Sequence, residues 1–136
     1  MANTFRVDIV APQGIIYSAD SSFVLARTTG GDIGVLRGHT PLIGALKIHP
    51  VTIRTENGDE IFAVSGGFLE VQPDKVTILA TSAERPEDID TERAENSRAR
   101  AEKRLAERQE GLDIARALAS LERAKMRLLV KEKYVR

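Results

Sequence analysis

No cysteine occurs in the 136 residues, so disulfides and thiolate-bound metals are excluded. Histidine is nearly absent too: His39 in RGHTPL and His49 in KIHP are the only two. Neither has a second histidine at ligand spacing, so they read as loop hydrogen-bonding or partner-contact residues. No apolar run approaches the roughly 18 to 20 residues of a membrane-spanning helix, and the opening MANTFRVDIV lacks the basic and apolar sections of a secretion signal. Glycine is plentiful, but no dinucleotide fingerprint or phosphate-loop GK[ST] accompanies it. Gly30-Gly31, Gly34, Gly38, Gly44 and Gly66-Gly67 therefore read as turns and bulges of a curved sheet. Ser65 in VSGG lacks the pattern of a nucleophile elbow. With no nucleophile, base and orienting group in sight, an enzyme is not expected.

Net charge is also missing, with 20 basic and 20 acidic side chains, but the balance hides a division. Residues 1–84 carry 6 basic and 9 acidic groups, whereas residues 85–136 carry 14 and 11. Within the tail, residues 113–136 hold 7 basic against 3 acidic side chains. That last segment favours an anionic partner.

The first 84 residues read as strands. TFRVDIV alternates, with Phe5, Val7 and Ile9 on one face and Arg6 and Asp8 on the other. Asn57-Gly58 between two apolar runs marks a hairpin and supplies two residues tolerant of positive φ. Pro73-Asp74 marks another, with Leu69 and Val71 before it and Val76 and Ile78 after it. Short strands at regular spacing predict an antiparallel sandwich or flattened barrel.

From Pro86 the pattern becomes helical. Asp88 or Asp90 stands at a helix start, good helix formers run from Thr91 to Gln109, and Gly111 is a natural stop. A second helix is expected from about Leu112 to Val130, with Ile114, Leu118, Leu121 and Leu128 beside Ala117 and Ala124 as its apolar stripe. The first helix offers only Ala94, Ala101 and Leu105 to meet it. The predicted hairpin has a thin seam, worth a few kcal/mol before ordering entropy is subtracted. Arg93 and Arg100 share a face of the first helix, and Arg123 and Arg127 a face of the second. Folded together, the faces could surround a phosphate chain; left apart, they are a solvated charged surface.

Three segments, GDIGVLRGHTPLIGALK, VSGGFLEVQPDKVTILATSAE and IDTERA, resemble in order and spacing the epsilon subunit of bacterial F-type ATP synthase. The resemblance implies a ten-stranded antiparallel β-sandwich over residues 1–84 and a regulatory two-helix antiparallel hairpin over residues 85–136. It implies a non-catalytic rotor component in the central stalk, peripheral at the cytoplasmic face of the cell membrane and not inserted in it. Its partners would be the gamma subunit and the c-ring, and also the alpha and beta catalytic subunits when the hairpin extends and inhibits ATP hydrolysis. A subset of the family binds ATP in the folded hairpin through an Ile/Leu-Asp-x-x-Arg-Ala motif, matched here by Ile89 to Ala94. By that resemblance Glu84, Ile89, Asp90 and Ala94 surround the nucleoside, Arg100, Arg123 and Arg127 take the phosphates, and Arg93 closes the site. ATP would be a regulatory ligand, with no cofactor required and no metal site. The ring-facing loop would run from Asp32 to His39 and include Arg37, a position where proline is frequent in the family. Nucleic acid is a poorer partner, because acids interleave the arginines and the tail's excess is only three charges.

Overall fold

A computed structural model describes residues 3–134. The chain divides into two compact units, Met1–Glu84 and Arg85–Arg136. In the first, eight strands follow one another: β1 (Phe5–Ala11), β2 (Gly14–Ser21), β3 (Phe23–Thr28), β4 (Gly31–Val35), β5 (Leu42–Thr55), β6 (Gly58–Val71), β7 (Lys75–Ala80) and β8 (Ala83–Glu84). They hydrogen-bond in the order β2-β1-β7-β6-β5-β3-β4, with β8 paired to β6.

The sheet folds over on itself. Tyr17 of β2 and Phe62 of β6 are not on neighbouring strands, yet their rings lie 5.0 Å apart at 56°. The alternating residues of β1, Phe5, Val7 and Ile9, join Val24, Ile53, Phe62, Leu69 and Ile78 in one apolar core. The fold-over is made in the two 14-residue strands β5 and β6. Along β6 the inward side chains are even-numbered at Phe62 and Val64 and odd-numbered at Leu69 and Val71. Gly66 and Gly67, with φ of 82° and 127°, absorb that change of parity. A Cβ on Gly67 would overlap the Leu79 carbonyl oxygen, so no other residue fits there.

These long strands explain why the strands number eight and not the expected ten. β5 and β6 pair without interruption of register from Leu42↔Val71 to Thr55↔Gly58, whereas cutting each at the bend would add two. The sheet is not wholly antiparallel either, since β1 and β7 run parallel, Arg6↔Lys75 to Val10↔Leu79. Alternation identifies a strand and its buried face but not its direction. At the β5–β6 turn, Gly58 alone takes positive φ, at 109°, so Asn57 is spared the left-handed conformation expected of it.

The second unit opens with a single 3-10 turn, Pro86–Asp88, that lies against the last helix. Helix α1 (Thr91–Glu107) starts where the Asp90 carboxylate accepts the Arg93 backbone N–H at 3.0 Å, which satisfies one of the helix's orphan donors. It stops at Arg108, in left-handed conformation at φ 44°, three residues before the glycine expected to end it. Helix α2 (Ile114–Tyr134) begins the same way as α1, with Asp113 accepting the Arg116 N–H at 3.0 Å. The helices pack together. Ala94, Ala101, Ala117 and Ala124 are buried. Ile114 and Leu118 were expected in the seam but are 44% and 47% exposed, while Met126 and Val130 are buried. Alanines at the crossing let the axes approach closely, so larger flanking side chains fall to the rim.

Candidate anion-binding site

Between α1 and α2 lies a cleft of about 200 Å³ lined by Ser97, Arg100, Arg104, Ser120, Arg123 and Arg127. Its donors are four guanidinium groups and two hydroxyls, and among the described residues no carboxylate lines it. Two of the four acids of α1 are engaged elsewhere: Glu102 pairs with Arg98 at 3.2 Å and Glu107 with Lys103 at 4.0 Å. Like charges held this close repel, and an anion between them removes the repulsion while accepting forked hydrogen bonds. A chain of phosphates offers the oxygens for four guanidiniums at once.

Two hydrogen bonds set the arginines. Arg100 donates from Nη2 to Ser97 Oγ at 3.1 Å, and Arg123 donates from Nη2 to Ser120 Oγ, also at 3.1 Å. Each is a bond between residues three apart on one helix, so helical geometry alone delivers it. Arg104, Ser97 and Ser120 were not expected in the site.

The signal that could have found them is a repeat. Asp-x-x-Arg-Ala-x-x-Ser-x-x-Arg-Ala-x-x-Arg-Leu starts at Asp90 and again, 23 residues later, at Asp113. Each copy is preceded by a branched aliphatic residue, Ile89 or Leu112. Both caps, both Arg–Ser bonds and the three pairs of cleft residues are thus equivalent positions of two copies.

Sequence profiles cover both units: that of the ATP synthase Delta/Epsilon chain beta-sandwich domain matches residues 4–86, and that of the Delta/Epsilon chain long alpha-helix domain matches residues 87–132. The ATP synthase epsilon chain of Anoxybacillus flavithermus is 51% identical over 102 residues, 75% of this chain and 76% of the relative. The chain belongs to the epsilon-chain family of ATP synthase. The epsilon chain of Brevibacillus brevis is 53% identical over 100 residues, 73% of this chain and 76% of its own length. That of Bacillus subtilis is 51% identical over 102 residues, 75% and 77% of the two chains. The fold is also that of a chain in the OSCP/F1/c-ring structure of Euglena gracilis mitochondrial ATP synthase. There the TM-score is 0.69 at 22% identity, covering 97% of this chain and 79% of the other.

Within this epsilon-family chain the expected site residues are placed as follows. Arg100, Arg123 and Arg127 converge in the cleft. Ile89 is buried where the 3-10 turn ends, Asp90 caps α1, and Ala94 is buried one turn on. Arg93 is exposed in the first turn of α1, outside the cleft lining. Glu84 lies in the first unit, on β8 opposite Ala63.

Asp32, Arg37 and His39 are not brought to one point. Asp32 sits on strand β4, not in the loop, and is held by its cross-strand partner Arg27 at 2.7 Å. That hydrogen bond is the main reason its carboxyl is held below its ordinary range. Arg37 is exposed in the following turn, where the Gly38 N–H donates to the Pro73 carbonyl at 2.8 Å. His39 Nδ1 lies 2.7 Å from the Thr40 carbonyl oxygen, a contact that requires the proton on that nitrogen. Elsewhere on the sandwich, Phe68 and Leu79 are directly opposed across β6 and β7 and are 55% and 47% exposed, with Ile43 on the adjacent strand 73% exposed. Three large apolar side chains thus share one exposed outer face.

Proposed function

We propose that the chain is a non-catalytic subunit of the synthase central stalk that docks gamma and the c-ring through its sandwich and restrains ATP hydrolysis by repositioning its helices. In this reading ATP binds the folded hairpin and holds it folded. The observation that carries the reading is the cleft, where four arginines and two serines converge as a phosphate-chain receptor that exists only while α1 and α2 lie side by side. The family membership supports the stalk assignment, and the Ile43–Phe68–Leu79 face offers the apolar contact that gamma would cover. Asp32, Arg37 and His39 border the region assigned to the ring. The alpha and beta subunits are the partners of the extended hairpin, and the assembly lies against the cytoplasmic face of the membrane without this chain entering it.

A ligand that binds only the folded hairpin shifts its equilibrium by about 2.7 kcal/mol at a hundredfold excess over Kd. An alanine seam leaves that shift large enough to decide between folded and extended states. The test is ATP hydrolysis by the synthase complex assembled with the full chain or with a chain ending after Glu84. The shortened chain should assemble, because residues 1–84 hold the apolar core, and hydrolysis should rise. Equal rates under conditions where the intact complex is inhibited would rule out the hairpin as the restraining element.

A further inference from the structure

We infer that the cleft is a two-fold site, and that it accepts a ligand which is itself two-fold: a phosphate chain carrying a nucleoside at each end. The inference rests on the ATP reading above and deepens it. Ligand contacts assigned to the α1 copy of the repeat have counterparts in α2. Arg100 corresponds to Arg123, Arg104 to Arg127 and Ser97 to Ser120, and all six line the cleft. At about 100° per residue the repeated positions fall on one face of each helix. Two equivalent helices that pack side by side in opposite directions are exchanged by a half-turn, so the cleft treats the two directions of a phosphate chain alike.

The equivalence extends beyond the phosphates. Ile89-Asp90-x-x-Arg93-Ala94 is matched by Leu112-Asp113-x-x-Arg116-Ala117. Asp113 caps α2 as Asp90 caps α1. Ala117 is buried as Ala94 is, and Arg116 is exposed as Arg93 is. Packing explains the alanines and capping explains the aspartates, but neither explains the two exposed arginines at matched positions. Ala94 and Ala117 each lie seven residues, roughly 10 Å along a helix axis, from the central alanines Ala101 and Ala124, in opposite directions. A head group at each seat with the phosphates between them fills the whole repeat, whereas ATP fills one seat and leaves the other empty.

The experiment titrates the isolated full-length chain with ATP, inorganic tripolyphosphate and diadenosine tetraphosphate by calorimetry, and repeats all three with Arg93→Ala and Arg116→Ala. The two-fold site predicts that the dinucleotide binds at least tenfold more tightly than ATP, and tripolyphosphate more weakly than ATP. Arg116→Ala should remove most of the dinucleotide's advantage yet lower ATP affinity by no more than about twofold, the share of ATP's second orientation. By the same symmetry Arg93→Ala should remove most of the dinucleotide's advantage and lower ATP affinity by no more than about twofold. Circular dichroism of each variant confirms that the helices are retained. A dinucleotide that binds no better than ATP, or one indifferent to Arg116→Ala, overturns the inference and leaves the ATP reading standing. Tripolyphosphate as tight as ATP also overturns it, since the seats would then contribute nothing. No saturable binding by any of the three removes both readings.

Discussion

At the residue scale, charged side chains play two separate roles in this molecule. On the sandwich several are paired in place. Asp8 accepts a hydrogen bond from Ser18, its cross-strand neighbour, and sits 3.3 Å from Lys75 and 3.8 Å from Arg6. The Ser18 hydroxyl is the main cause of its lowered pKa, helped by Lys75 and Arg6 and opposed by burial. A depressed carboxyl stabilises the fold above its unfolded value of about 3.9 and loses that contribution as pH falls through the folded value. Asp8→Asn should therefore lower the urea midpoint at pH 7 and lose most of its effect at a pH below the carboxylate range. An equal shift at both pH values would show that the side chain acts through shape alone. In the hairpin, by contrast, Arg100 and Arg123 bond to serines of their own helices.

At the element scale, local rules and long-range constraints divide the work. The strand of Phe5, Val7 and Ile9, the turn at Pro73-Asp74 and the cap at Asp90 follow from alternation, turn chemistry and capping, which act within a few residues. The parallel β1–β7 pair and the uncut β5 and β6 follow from closure of the whole sheet, to which a short window is blind. The cleft lining was legible in part. The family motif and the basic bias of α2 pointed to Arg100, Arg123 and Arg127, which meet in one cleft, whereas Arg104 and the serines are visible only when the two helices are aligned at an offset of 23 residues. Gly67 is the test of the bend. Gly66→Ala should cost about 1–2 kcal/mol for a left-handed alanine, and Gly67→Ala distinctly more, because its Cβ also meets the Leu79 carbonyl. Chemical denaturation of both variants measures the difference, and equal losses would mean that β7 moves aside easily.

At the scale of the whole molecule, the two units hold together by different means. Residues 1–84 enclose an apolar core of large branched and aromatic side chains, while the hairpin buries mostly alanine between its helices and gathers four like charges at one cleft. We propose that a unit built that way responds to an anion bound in the cleft. The most direct measurement of that response is a calorimetric ATP titration of the full-length chain beside Arg123→Ala, Arg127→Ala and a Lys131→Ala control outside the cleft. Loss of one charge-assisted phosphate contact should cost roughly 1.5–3 kcal/mol, so each cleft variant should bind at least about tenfold more weakly. The control should stay close to the parent, and the melting of the sandwich should be the same in all four. Equal affinity in every variant, or no saturable binding by the parent at millimolar ATP, would contradict the account.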